Sequence, residues 1–408
     1  NYGFTGVTKV NCRPKGGNSS TNNNEICIQI HNQFTQSVRQ VVLSYPRMKA
    51  TVVPVHTSSK PYNVHVGTGI LKQLNDLISK SGSTGRRFVV SSHKVWEAHG
   101  PTISKAIGRT DNILVPDGER AKTVKTVGTI YDALIKSQAD RTATIIAAGG
   151  GVIGDVVGFA AATYLRGVRL VHIPTTLLAQ VDSSIGGKVG VNHRLGKNLI
   201  GAFYQPSIVV SDPTFLSTLP RREFRSGLYE VIKYGMIRDP DLFQRLHSNL
   251  SDILSLDPIE LVHIISTSCR IKASVVSEDE YEGNIRRILN FGHTAGHAIE
   301  AATRYRRFRH GEAIAYGMLV VADLAARRGL LTQANKEALA DLIAELGRLP
   351  SIKDLSAQSL VEIMRRDKKV LNGRLHVVLP TSIGKTMIVD DVTPKELKQS
   401  LRAVGAAP

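Results

Sequence analysis

Short apolar runs recur along residues 50 to 212, each bounded by turn residues and separated by longer stretches of helical spacing. Thr51-Val52-Val53-Pro54-Val55, Arg87-Phe88-Val89-Val90, Asn112-Ile113-Leu114-Val115, Ile145-Ile146 and Leu170-Val171-His172-Ile173 read as strands. Strands alternating with helices predict a layered α/β domain with a mostly parallel sheet. From about residue 220 the period changes. Gly227 to Ile237, Asp257 to Val275, Thr294 to Ala302, Glu312 to Arg328 and Thr332 to Leu346 carry helical spacing, so a mainly α-helical second domain is expected. The predicted boundaries are 48–219 for the α/β domain and 220–408 for the helical one. A crevice between them is the expected binding place.

Residues 1–47 break the pattern. They hold Gly16-Gly17 and Asn22-Asn23-Asn24, few periodic apolar positions, and Glu25 as their one acidic residue. A disordered leader or non-native extension is expected, with the functional chain starting at Met48. An organelle-targeting reading of this basic, hydroxylated stretch, plastid included, is the weaker alternative to a cytoplasmic protein.

At 408 residues and 42% hydrophobic content the chain can bury substantial cores. It contains no apolar run of membrane-spanning length, so no membrane partner is expected. Cys12, Cys27 and Cys269 lie far apart, which gives no disulfide framework and fits a reducing compartment. The net charge of +18 suits anions, but the basic residues are dispersed among apolar segments without an RNA-binding or zinc-finger pattern. Small phosphates or carboxylates are therefore the expected ligands, and no nucleic acid.

Two stretches carry chemistry. In Leu289-Asn290-Phe291-Gly292-His293-Thr294-Ala295-Gly296-His297 the histidines stand one helical turn apart, with His310-Gly311-Glu312 following and Glu230 upstream. Imidazoles at i and i+4 share a helix face, and two imidazoles with a carboxylate would leave zinc an open position. Most such pairs are simply hydrogen-bonded core or surface residues. The second stretch, Ala147 to Phe159, reads as strand, glycine turn and helix start. Its Gly149-Gly150-Gly151 and Gly154 would let a pyrophosphate approach free amides at a helix N-terminus. The spacing is not the usual dinucleotide fingerprint, and tight helix–sheet packing explains glycines equally well.

From Lys49 to its end the chain resembles the 3-dehydroquinate synthases. The resemblance rests on Asp117-Gly118-Glu119, Gly149 to Asp155, Pro174-Thr175-Thr176-Leu177-Leu178, Val181 to Lys188, Leu195-Gly196-Lys197-Asn198, Glu230 to Lys233, the double-histidine stretch and Asp367-Lys368-Lys369. It implies NAD against Asp117, Gly118, Glu119, Lys122, Gly151, Val152, Ile153, Gly154, Asp155, Thr175, Thr176, Lys188, Lys197 and the Phe215-Leu216-Ser217-Thr218 turn. It also implies zinc or cobalt on Glu230, His293 and His310, which moves His297 from the ligand pair to the substrate.

The implied substrate is 3-deoxy-D-arabino-heptulosonate 7-phosphate, a small anionic sugar phosphate, and the implied products are 3-dehydroquinate and phosphate. Arg166, Lys188, Lys197, Asn198, Lys233, Arg286, Asn290, His297 and one of Lys368 and Lys369 would bind it, with Arg166 reaching a neighbouring subunit of a homodimer. The implied course is transient oxidation by NAD, phosphate elimination, re-reduction, ring opening and aldol closure. Lys188, Lys233 and His297 would take part, and Asp182 would either relay protons or only orient lysines. Alternatives of related architecture are another sugar-phosphate cyclase or a metal-dependent alcohol dehydrogenase. A different class, a basic binding protein without catalysis, would bind nucleic acid at physiological salt and release no phosphate.

Overall fold

The computed structural model describes residues 50–408, apart from 109, 366–369 and 372–373. The expected leader, Cys12, Cys27, Lys368 and Lys369 lie outside the described residues.

Among the described residues of the first half nine strands form: β1 (Thr51–Val55), β2 (Tyr62–Val66), β3 (Arg87–Ser92), β4 (Asp111–Val115), β5 (Thr144–Gly149), β6 (Arg169–Pro174), β7 (Lys188–His193), β8 (Gly196–Phe203) and β9 (Ile208–Ser211). Between them run helices α1 (Leu74–Lys80), α2 (His93–Ile107), α3 (Val124–Lys136) and α4 (Gly151–Thr163). Seven strands make one sheet in the order β1-β2-β9-β6-β5-β3-β4, parallel except for the β1–β2 pair.

The central strands are apolar on both sides because helices cover both faces of the sheet. Ile145, Ala147, Val90 and Leu170 pack with α3 and α4, while Ile146, Ala148, Val89 and Val171 pack with α1 and α2. The alternation along β5 thus feeds two cores from one strand. Each fully buried Ile or Leu contributes about 1.5–3 kcal/mol. β7 and β8 form a separate antiparallel hairpin, and β7 lies against α4.

The second half is helical: α5 (Arg221–Arg238), α6 (Pro240–Ser248), α7 (Leu250–Leu254), α8 (Pro258–Glu278), α9 (His293–Ala302), α10 (His310–Arg327), α11 (Gln333–Glu345), α12 (Ala357–Arg365) and α13 (Pro394–Ala403). A short hairpin of Val377–Ser382 and Lys385–Val389 packs against α5 and α10. α5 is buried all round from Gly227 to Ile237 and is the axis of the helical core, as a helix without a polar face must be. Asp257 starts α8 by accepting from the Ile259 and Glu260 amides, and Pro258 follows at the first helical position. Among the described residues no helix is long and apolar enough to cross a membrane.

Candidate active site

The strand order reverses direction between β3 and β5, and the carboxyl ends of parallel strands at such a switch form a crevice. Asp117 to Glu119 follow β4, Gly149 ends β5 and Gly150 and Gly151 follow it, Thr175 and Thr176 follow β6, and Phe215 to Thr218 follow β9. These implied NAD residues therefore gather at the carboxyl ends of the parallel strands, whereas Lys188 and Lys197 stand on the separate β7–β8 hairpin. The turn after β5 has no room for side chains: a Cβ on Gly149 would stand 2.6 Å from Ile153 Cβ, and one on Gly150 2.9 Å from Thr176 Cγ2. α4 begins there, so its free amides and positive dipole face the opening, a setting that fits a pyrophosphate.

The same residues also perform local tasks. Thr176 Oγ1 accepts from the Ala179 amide at 3.2 Å, and Asp117 Oδ2 accepts from the Lys94 amide at 3.4 Å. Lys122 pairs with Asp155 and donates to Asn198 Oδ1 at 2.5 Å, which ties the start of β8 to the mouth of the crevice.

Three helices deliver the metal candidates. Glu230 lies in the buried middle of α5, His293 opens α9 after Gly292, whose φ is +77°, and His310 opens α10. His310 Nε2 is 3.3 Å and His293 Nε2 3.7 Å from Glu230 Oε1. The ligand atoms of all three lie within 4.8 Å of one another. Glu230 is fully buried, and neither of its oxygens makes a well-aligned hydrogen bond, although Lys233 Nζ stands 2.5 Å from Oε2. Two imidazoles around a buried, poorly satisfied carboxylate fit zinc or cobalt. His293 and His297 do share a face, with ring centroids 5.3 Å apart. His297, Glu300 and His310 make a second group of convergent donors.

Asp182 stands on the helical turn Ala179–Ser183 and gathers the cations beside this cluster. Its Oδ1 accepts from Lys272 Nζ at 2.7 Å and Tyr234 Oη at 2.6 Å, with Lys233 Nζ at 3.8 Å. Burial opposes the charge on Asp182, but Lys272 and Lys233 outweigh it and hold the carboxyl well below its ordinary range. Burial likewise opposes the charge on Lys233, and Glu230 and Asp182 raise it above its usual value. Lys272 goes the other way, because burial outweighs Asp182. Burial also works against the charge on His310, yet the carboxylates of Glu230 and Glu300 on either side of the ring carry it up to about 10 while no metal is bound.

Of the remaining substrate candidates, Lys188 pairs with Glu282, and Asn290 Nδ2 donates to Glu282 Oε1 at 3.1 Å. Lys197 Nζ lies 3.5 Å from Glu300 and 3.8 Å from Glu119, between the helical cluster and the sheet edge. Arg286 is buried, and its guanidinium holds the carbonyls of Glu280 and Gly186, the latter at 2.8 Å. Arg166 is exposed in the turn Tyr164–Arg166, where Leu165 and Arg166 both have left-handed backbone. Cys269, the one described cysteine, is buried against the Gln180 carbonyl, and burial pushes its thiol up to about 12.

Sequence reasoning missed Lys272, Glu282 and Glu300. Lys272 and Glu300 are single charged residues marked only by their helical phase on the buried faces of α8 and α9, and Glu282, in the loop after α8, carries no local signal.

The residues from 112 to 226 match the family model of the 3-dehydroquinate synthase N-terminal domain, and those from 227 to 370 that of the C-terminal domain. Among solved structures, the chain resembles 2-epi-5-epi-valiolone synthase from Streptomyces hygroscopicus, with NAD+ and Zn2+ bound, at 30% identity and a TM-score of 0.77 over 84% of this chain and 96% of that one. A 2-deoxy-scyllo-inosose synthase complexed with carbaglucose-6-phosphate, NAD+ and Co2+ matches at 29% identity and a TM-score of 0.79, over 86% and 99%. An iron-containing alcohol dehydrogenase, 15% identical with a TM-score of 0.59, shares the fold alone. Architecture and neighbours together set the class, the sugar-phosphate cyclases.

Within that class the curated relatives are consistent. A 3-dehydroquinate synthase of Microcystis aeruginosa is 43% identical over 358 residues, 86% of this chain and 98% of that protein, and one of Nitrosococcus oceani is 45% identical over 342 residues, covering 83% and 95%. The chain belongs to the 3-dehydroquinate synthase family.

Proposed function

We propose that the chain converts 3-deoxy-D-arabino-heptulosonate 7-phosphate to 3-dehydroquinate and phosphate, as an NAD- and divalent-metal-dependent carbon–oxygen lyase. One observation carries the reading: the Glu230, His293 and His310 donors lie beside the half-buried Asp182 and the buried Lys233 and Lys272 charges, a setting for an anion that must also meet a metal. When bound, NAD supplies a reversible hydride acceptor, and zinc or cobalt supplies a Lewis acid for a substrate hydroxyl.

The chain's own residues hold and orient. Lys233, kept charged between Glu230 and Asp182, presents a fixed donor to the reacting end of the substrate. Lys272 and Lys188, each carried on a carboxylate, face the substrate's anionic groups, and Asn290 steadies Glu282 under Lys188. Asp182 Oδ1 is already engaged by Tyr234 and Lys272, which favours an orienting role over that of a free base. His297 stands beside the metal donors, within reach of a substrate oxygen. The departing phosphate can take the proton in elimination, so no dedicated protein base is required.

The proposal includes a functional division into 48–219 for NAD and 220–408 for metal and substrate. It also includes a cytoplasmic homodimer in which Arg166 reaches the partner's site; its exposed turn and the exposed Leu165, Leu195 and Leu199 support that contact, and sedimentation tests it. Turnover is tested by phosphate release with zinc and substoichiometric NAD, the product identified by mass and NMR. Many turnovers per NAD yielding 3-dehydroquinate are expected. Stoichiometric NADH accumulation would point to a dehydrogenase, and turnover of other sugar phosphates alone to another cyclase.

A further inference from the structure

The metal reading leaves Glu300 unexplained. It is a buried carboxylate on α9, two turns beyond His293, and the resemblance gave it no task. Its Oε2 lies 3.4 Å from His310 Nδ1, while the opposite ring nitrogen, His310 Nε2, lies 3.3 Å from Glu230 Oε1. The two nitrogens of one imidazole point apart, so they cannot serve one ion. Whichever nitrogen binds, the other must find a different partner.

Two arrangements are open to His310. In one, Nε2 joins Glu230 and His293, and Nδ1 donates to Glu300. In the other, Nδ1 joins His297 and Glu300 around the ion. The surroundings separate them. Glu230 is fully buried; Lys233 Nζ stands 2.5 Å from its Oε2, which leaves Oε1, faced by Nε2 of both His310 and His293, for a metal ion. Glu300 is already engaged on both oxygens, by His310 on Oε2 and by Lys197 Nζ at 3.5 Å from Oε1. His293 shows the same division of labour: its Nε2 faces Glu230 and its Nδ1 lies 3.1 Å from the Phe291 carbonyl.

We infer that Glu300 is a positioning residue for the metal centre: it accepts from His310 Nδ1, fixes the tautomer that presents Nε2 to the ion, and through Lys197 links that ligand to the cofactor edge of the sheet. Carboxylates behind metal-bound histidines fix the ring and raise its basicity. Lys197 Nζ also lies 3.8 Å from Glu119 and 4.1 Å from the centre of the Tyr305 ring, so the link reaches the loop after β4.

The inference rests on the proposed metal triad, and metal affinity, measured without turnover, separates the two. Zinc and cobalt dissociation constants would be measured by chelator competition on the full chain and on E300A, E300Q, E230A and H297A, with thermal unfolding as the check on folding. E300A is expected to weaken zinc about 10- to 100-fold, E300Q less, with the cobalt absorption spectrum of the loaded variants keeping its ligand-field pattern. Unchanged affinity in both Glu300 variants would overturn the inference while leaving the triad intact. Loss of metal in E300A and H297A but not in E230A would make Glu300 a ligand, and would overturn both readings. If E300A fails to fold, E300Q and its cobalt spectrum decide the matter.

Discussion

Asp182 shows how much one side chain can organise. It takes Lys272, Tyr234 and Lys233 onto one carboxylate, and Lys272 Nζ also holds the Asp182 backbone carbonyl at 2.7 Å. Lys272→Met removes one of three partners from a largely buried charge, so a loss of about 1–3 kcal/mol is expected, read by denaturant unfolding. Under the proposed function the lysine also faces the substrate's anionic groups, so activity should fall further than stability, through a raised KM. Loss of stability alone would confine Lys272 to a structural role. Glu280 makes a pH prediction. Its carboxylate accepts from Ser58 Oγ at 2.7 Å, Gln205 Nε2 at 2.9 Å and the Ser59 amide at 3.1 Å. Burial opposes its charge, but the Ser59 hydroxyl, which also donates to it, and then these other donors outweigh it and take the carboxyl from an ordinary 4.5 to about 2. Because folding lowers this pKa, the unfolded chain binds the proton first. The contribution is full above about pH 4.5 and is lost as pH falls through about 2. Subtracting E280Q from the wild type in acid unfolding should reveal this slope, and parallel curves would refute it.

At the scale of elements, the site depends on how closely three helices approach. Gly311, beside His310, has no room for a methyl group: a Cβ there would stand 1.9 Å from the Ser226 carbonyl oxygen on α5. In the same way Gly317 of α10 meets the Gly292 carbonyl at 1.8 Å. Gly311→Ala must push α10 from α5, and so His310 from Glu230. A cost of at least about 1–3 kcal/mol is expected, with weaker zinc binding in step. Gly128, mid-way along α3, has nothing within 4 Å of its would-be Cβ, so Gly128→Ala should stabilise by about 0.5–1 kcal/mol. Melting curves of the two variants should move in opposite directions. The sequence showed strands, glycine turns and helix starts because their signals are local: alternation, a cap, a missing Cβ. Lys272 pairs with a residue 90 positions away, and Glu300 with a histidine across a helix–helix contact. No local spacing encodes such partners, which is why the double-histidine stretch read alone suggested His293 with His297. The long-range packing instead brings His293 to Glu230 and His310.

In the whole molecule the two candidate ligands bear on different parts. NAD would lie along strand ends and the start of α4, whereas the metal would join α5, α9 and α10, whose ligating residues are 63 and 17 positions apart along the chain, from Glu230 to His293 and from His293 to His310. Binding to the folded state alone stabilises by about 2.7 kcal/mol at a hundred times the dissociation constant. Zinc should therefore raise the melting temperature of the metal-free protein, and NAD should raise it again. His293→Ala takes one donor from the triad but leaves the sheet edge intact. That variant should lose the zinc-dependent rise and keep the NAD-dependent one, measured by differential scanning calorimetry with each ligand alone. A zinc rise that survives H293A would place the ion on other donors, His297 and Glu300 first among them. Loss of both rises would mean that the substitution had disturbed the fold, and a circular dichroism spectrum of the unliganded variant would show that directly.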